Sequence, residues 1–214
     1  MKSSLWELQL SEFCERTASA DPTPGGGSVA MVGATLGLGL VIMALEISLN
    51  KEKDLPRASR TRALVERARQ LLSELRRHAD EDIIAFQRYM EALRLPKEGD
   101  EQKAFRQKSI SEAVEHATRT PLRAAQDTLK GIEVAVAAVE LTAKNVISDV
   151  GAGVAMMEAG LRGVLLNVTI NLPYLSDQSL VEEFSIQKRD CQRLATERAS
   201  LVSQAVEDLL SMKR

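Results

Sequence analysis

Aromatic residues are scarce in this chain: one tryptophan, two tyrosines and four phenylalanines make up 3% of it. A core of stacked rings is excluded, so the 44% hydrophobic content has to be packed from Leu, Val, Ile, Ala and Met. Cysteine is almost absent. Cys14 and Cys191 stand far apart with no metal-ligand spacing, which excludes a disulfide framework and a thiolate zinc centre. With no signal peptide visible, reduced thiols in a cytoplasm are the simplest reading. The two histidines, His78 and His116, lie among charged residues and cannot furnish a His-rich zinc site. No metal is expected, and acid–base chemistry falls to carboxylates, lysine or amides. An excess of one charge is missing too. The 28 basic and 30 acidic residues leave a net charge of −2, which gives no global field for nucleic acid or acidic lipid. No segment alternates as a strand does, and no repeat period or low-complexity tract is present.

What is present is organised around residues 21–50. Asp21-Pro22-Thr23-Pro24-Gly25-Gly26-Gly27-Ser28 is followed by Val29 to Leu45 without one charged residue. The prolines stiffen the approach, and the three glycines leave a bare, permissive backbone. Ser28 is expected to cap the apolar helix that follows. A glycine loop at the positive end of a helix offers free N–H groups to an anion or an oxyanion, and it serves equally as a tight turn into a core helix. Gly33, Gly37 and Gly39 weaken the apolar helix and call for close packing or a ligand in return. The uncharged run is shorter than the ~20 residues of a membrane span, and Glu46 with Lys51-Glu52-Lys53 ends it. A helix buried on all sides in a soluble bundle is the expectation.

The remaining elements read as helices. The first is expected from Leu5 to Ala20, with Ser4 and Glu7 at capping-box spacing. A long one opens at Pro56 and stops near Leu93. Its apolar stripe, Leu64, Ala68, Leu71, Leu75, Ala79, Phe86, Met90 and Leu93, has a gap that Asp82 fills. A carboxylate on that stripe is either paired or tuned for a proton-transfer task, unless it flanks the stripe and reaches water. A charged helix spans Glu101 to Arg119. Pro121 is expected to break or restart it, and a bundle helix continues through Leu122, Leu129, Val136 and Ala143. Asp149, Gly153, Met156, Gly160, Gly163, Asn167 and Asn171 then share one helical face, small in the middle and polar at both ends. Such a face accommodates another backbone or a flat ligand. A last helix runs to about Met212. The fold class expected is an all-α, multihelical antiparallel bundle with a buried, glycine-containing central helix, as one domain over 1–214.

Pro22-Thr23-Pro24-Gly25-Gly26-Gly27-Ser28 resembles the signature of the cyclodeaminase/cyclohydrolase family. This family includes the C-terminal domain of formiminotransferase-cyclodeaminase and stand-alone methenyltetrahydrofolate cyclohydrolases. Asp82-Ile83-Ile84-Ala85-Phe86, Leu95-Pro96-Lys97, Ser148-Asp149-Val150-Gly151-Ala152-Gly153 and the glycine-asparagine pattern from Gly163 to Asn171 are similar to its further motifs, in order. Departures fall at Glu46, where an asparagine is frequent, and at Asn50, where glycine is. The resemblance implies a dimeric helical protein acting on a tetrahydrofolate derivative. It either hydrolyses 5,10-methenyltetrahydrofolate or cyclises 5-formiminotetrahydrofolate with loss of ammonia. No cofactor is expected beyond the folate substrate, and neither nucleic acid nor a membrane is expected as a partner. A non-catalytic helical dimerisation module on the same fold is the alternative. Laid onto matching positions, the family resemblance implies catalytic roles for Asp82, Lys97 and Asp149. It implies substrate contacts from Pro24, Gly25, Gly26, Gly27, Ser28, Asn145, Gly153, Asn167 and Asn171.

Overall fold

The structure, a computed structural model, describes residues 4–212, so the outermost residues of the expected 1–214 domain lie outside the description. It contains six α-helices: α1 (Leu10–Thr17), α2 (Gly26–Leu49), α3 (Leu55–Leu93), α4 (Asp100–Leu141), α5 (Ile147–Asn171) and α6 (Gln178–Ser211). Short 3-10 turns precede α1 and flank α5, and no strand occurs among the described residues. The all-helical expectation therefore holds. The core is aliphatic, as the shortage of aromatics requires. Met31, Leu38, Val41 and Leu45 of α2 meet Leu75 of α3, Ile132 of α4, Met157 and Leu161 of α5, and Phe184 of α6.

The α2–α5 crossing is built from small residues. A Cβ at Gly37 would lie 2.6 Å from the Gly153 carbonyl oxygen, and one at Gly153 would lie 2.5 Å from the Gly37 carbonyl oxygen. One at Gly160 would lie 2.6 Å from the Ala30 carbonyl oxygen. Positions rising along α2 meet positions falling along α5, so the two helices run antiparallel. The obstructing atoms are backbone and cannot rotate away. Gly153→Ala is therefore expected to destabilise the fold by about 2 kcal/mol or more, as overpacking does. In a chain of this size that lowers Tm by roughly 4–8 °C. An unchanged melting curve would show that the crossing relaxes at no cost. The small face on α5 thus serves helix packing, and Gly153 is not a slot for a flat ligand.

Several expectations are corrected. The first helix is interrupted. Leu5–Glu7 is a 3-10 turn, Leu8 is extended, and α1 stops at Thr17. The reason is a tertiary anchor: Ser4 Oγ donates to Asp80 Oδ2 at 2.6 Å and the Leu5 N–H donates to Asp80 Oδ1 at 2.9 Å, which ties the segment to α3. Helix α2 begins at Gly26 with Gly25 as its N-cap and no side-chain cap, so Ser28 lies inside the first turn. Asp54 caps α3, with Pro56 one residue into it. Pro121 breaks nothing: α4 runs through it without interruption. Helix α2 is not buried on all sides, for Leu36 is 53% exposed and Met43 41% exposed. By length and composition alone, α2 and the segment around α5 pass for membrane spans. In the fold their other faces pack against each other and against α3 and α4.

One buried polar group fastens α3 to α4. His78 is buried, with Nδ1 3.0 Å from Glu81 Oε2 and Nε2 2.8 Å from Asp127 Oδ2. The His78 hydrogen bond holds the Asp127 carboxyl at about 2, helped by Lys130. Glu74, His78 and Asp127 bring one ligand atom each within 4.8 Å of one another. Both nitrogens of the ring are committed to carboxylates, so the cluster reads as a hydrogen-bond network. Cys191 is buried and its thiol is pushed up to about 12 by that burial, while Cys14 is exposed.

Candidate functional site

A cavity of about 360 Å³ lies where the start of α2 meets the end of α5. That volume falls within the range of small-molecule sites. Pro22, Thr23 and Gly25–Gly27 form one wall, and Asp82, Phe86 and Tyr89 of α3 form another. Helix α4 contributes Val114 and Ala117. Asn167, Ile170 and Asn171 of α5, with Tyr174 beyond it, complete the lining.

Asp82 is paired at both oxygens. Ser28 Oγ donates to Oδ2 at 2.9 Å, and Asn167 Nδ2 donates to Oδ1 at 2.9 Å. Ser28 is fully buried, so its hydroxyl has a fixed target. The position of Gly27 follows from this arrangement. A Cβ there would collide with Asp82 Oδ1 and Asn167 Nδ2 and would lie 2.6 Å from Asp82 Cγ. Only a residue without a side chain lets the carboxylate and the amide meet over the first turn of α2. That turn starts at a glycine with no side-chain cap, and Gly25, Gly26 and Gly27 at this positive helix end line the cavity. None of Gly25, Gly26 and Gly27 has positive φ, and a Cβ on Gly26 would meet open space. The triple glycine is thus needed for close approach at Gly27, not for left-handed backbone.

Of the residues expected at the site, Gly25, Gly26, Gly27, Asp82, Asn167 and Asn171 line the cavity, and Ser28 stands behind Asp82. Pro24 is buried and shapes the loop without lining the cavity. The other four do not join them within the chain. Lys97 lies beyond the end of a rigid helix whose last residue is already ~16 Å from Asp82 at 1.5 Å per residue. Lys97 is exposed and cannot balance that carboxylate. Asp149 and Gly153 sit near the opposite end of α5, Asp149 ~27 Å along the axis from Asn167, and Asn145 precedes that end. The departures at Glu46 and Asn50 fall at that distant end too, where Glu46 Oε1 accepts from Arg69 Nη2 at 2.8 Å.

Sequence reasoning passed over Phe86, Tyr89 and Tyr174 as cavity residues. The signal was available in the composition: both tyrosines of a chain nearly free of aromatics face this one cavity. Their rings offer flat apolar surface with a polar tip. The Ala117 carbonyl was also missed. It accepts from Asn171 Nδ2 at 2.8 Å.

Comparison with known proteins points to one family. The sequence profile described as formiminotransferase-cyclodeaminase matches residues 9–190. The chain is 35% identical over 174 residues to a methenyltetrahydrofolate cyclohydrolase of Methylorubrum extorquens, covering 81% of this chain and 84% of that protein. It is 30% identical over 179 residues to the formimidoyltransferase-cyclodeaminase of Gallus gallus, covering 82% of this chain and 32% of that protein, and so spans about a third of that longer relative. The fold matches the crystal structure of a formiminotetrahydrofolate cyclodeaminase from Thermotoga maritima with a TM-score of 0.78, at 24% identity over 96% of each chain.

Proposed function

The chain belongs to the formiminotransferase-cyclodeaminase family, and from that premise we propose that it hydrolyses 5,10-methenyltetrahydrofolate to 10-formyltetrahydrofolate. The broader assignment, an enzyme of folate one-carbon chemistry, rests on the relatives named above. What supports the finer reading is the 35% identity, across 84% of its length, to a methenyltetrahydrofolate cyclohydrolase; the group that would carry the chemistry is Asp82, held at both oxygens by Ser28 and Asn167 beside the cavity. Water adds to the carbon between the two folate nitrogens and gives a tetrahedral centre. Asp82 takes a proton from that water and delivers it to N5 as the carbon–N5 bond breaks, and the remaining hydroxyl hydrogen leaves to solvent as a proton when the formyl C=O forms on N10. The first-turn N–H groups of α2, at the positive end of that helix, are the donors assigned in this reading to the oxygen that gathers charge. Phe86, Tyr89 and Tyr174 provide surface for a flat bicyclic ring. The reaction draws on no cofactor beyond the tetrahydrofolate substrate, and its setting is the cytoplasm.

Cyclisation of 5-formiminotetrahydrofolate with release of ammonia is the second reading. It passes through the same kind of tetrahedral carbon and uses the same carboxylate, and the relatives named as cyclodeaminases favour it. The test is one preparation assayed two ways: decay of methenyltetrahydrofolate absorbance, and ammonia released from formiminotetrahydrofolate. Hydrolysis is the expected result. Ammonia release alone moves the function to the second reading, and activity in neither assay overturns both. A module that only dimerises would gain nothing from a carboxylate fixed at both oxygens.

We also propose that the enzyme is a homodimer or a higher homo-oligomer. Leu36 and Met43, two helical turns apart on α2, are 53% and 41% exposed and would be covered by a second copy. Light scattering at micromolar concentration is expected to return at least twice the 23.5 kDa chain mass. Leu36→Glu should shift that mass toward the monomer. A monomeric mass for the unaltered protein would refute the proposal.

A further inference from the structure

Helix α4 carries a buried proline at position 121, near the middle of a helix that runs from Asp100 to Leu141. In a regular helix the N–H of residue 121 would donate to the carbonyl of residue 117. Proline has no N–H and its ring presses against that carbonyl, so the Ala117 oxygen loses its partner in the ladder. The structure fills the vacancy from another helix: Asn171 Nδ2 donates to the Ala117 oxygen at 2.8 Å. Ala117 and Asn171 both line the cavity that holds Asp82.

A carbonyl oxygen only accepts, so the contact fixes which end of the Asn171 amide is which. The NH₂ group must face Ala117, and the carboxamide oxygen is left for the cavity. Asn167, one turn earlier on α5, is fixed the same way, because its NH₂ group donates to the Asp82 carboxylate. Each NH₂ group keeps a second hydrogen, but the two carboxamide oxygens only accept. Those oxygens suit a ligand edge made of ring N–H and exocyclic NH₂ donors.

We propose that Pro121 is a positioning residue of this site. By withholding one backbone N–H it frees the Ala117 carbonyl to hold Asn171, so that the Asn171 oxygen accepts from an N–H or NH₂ group of the bound ligand. This rests on the folate reading above, since the aminopyrimidine edge of a pterin supplies such donors.

The test is a double-mutant cycle on methenyltetrahydrofolate hydrolysis, with Asp82→Asn run alongside. Pro121→Ala restores the N–H and draws the Ala117 carbonyl back into the helix. The expected result is a KM about tenfold higher, the worth of one hydrogen bond of roughly 1.4 kcal/mol, with kcat changed less than about threefold. Asn171→Ala should raise KM similarly, and the double variant should be no worse than Asn171→Ala alone, because the proline acts only through the asparagine. An unchanged KM for Pro121→Ala, or effects that simply add, overturns the inference. If Asp82→Asn abolishes turnover while the cycle shows nothing, this inference alone fails. If Asp82→Asn is also without effect, the site reading fails with it. Should Pro121→Ala not fold, the unaltered protein decides. Its Asn171 side-chain NH₂ resonance, identified by its loss in Asn171→Ala, should exchange more slowly than that of exposed Asn50. Equal exchange overturns the inference.

Discussion

Asp82→Asn is expected to lower turnover by ~10²–10⁴-fold, the range for loss of general acid–base help, while the fold and folate binding persist. The geometry explains why the two effects separate. Asp82 Oδ1 accepts from Asn167 and Oδ2 accepts from Ser28. An asparagine keeps one oxygen, which continues to accept from the Asn167 amide. Its new NH₂ group then faces Ser28, whose hydroxyl can rotate from donating to accepting. The local network survives with one polarity reversed, and what disappears is the group that exchanges a proton with substrate. Steady-state turnover, a folate-analogue titration and a melting curve measured together check this. Turnover within a few-fold of the unaltered enzyme would show Asp82 to be structural.

The second large effect is expected at Gly27, not at its exposed neighbour. A Cβ at position 27 collides with atoms of Asp82 and Asn167, so Gly27→Ala must push the carboxylate, the amide or both out of place. Displacing a catalytic group by about 1 Å costs on the order of 10²-fold, and a loss of at least that size in turnover is expected. Gly26→Ala is the matched control. Its Cβ would meet no protein atom within 4 Å, so Asp82 and Asn167 stay in place and a change of less than about fivefold is expected in kcat, any cost to the cavity it lines falling on KM. This separates three glycines that the sequence alone presents as one bare, permissive stretch. Equal losses at both positions would place the effect in the loop's N–H groups and not in the contact over Gly27.

The sequence made the apolar α2 and the odd carboxylate of α3 legible for one reason: each interrupts a pattern. An uncharged run and an acidic residue within an aliphatic stripe stand out from single-residue periodicity. Asn167 and Asn171 were legible as an i, i+4 pair on the same grounds. What periodicity does not carry is the distance between motifs after folding. Asp149 and Asn167 share a helical face, which makes them look like partners, but a straight helix holds them far apart. Lys97 follows Asp82 closely in the chain and is carried away by the same rigidity. Ser28 looked like a cap because serine before an apolar run usually is one, yet α2 starts two residues earlier and the hydroxyl turns to Asp82 instead. Pro121 looked like a break because the partner that compensates it, Asn171, lies fifty residues downstream and on another helix.

Asp82 has its hydroxyl donor 54 residues before it and its amide donor 85 residues after it. The three side chains sit on α3, α2 and α5, and no local segment contains any two of them. A chain that has coiled its helices but not docked them holds every residue of the site and yet has no site. Enzymatic activity in this protein is consequently a readout of tertiary assembly and is blind to helix content. During refolding, ellipticity can return in full while catalysis waits for three helices to find one another.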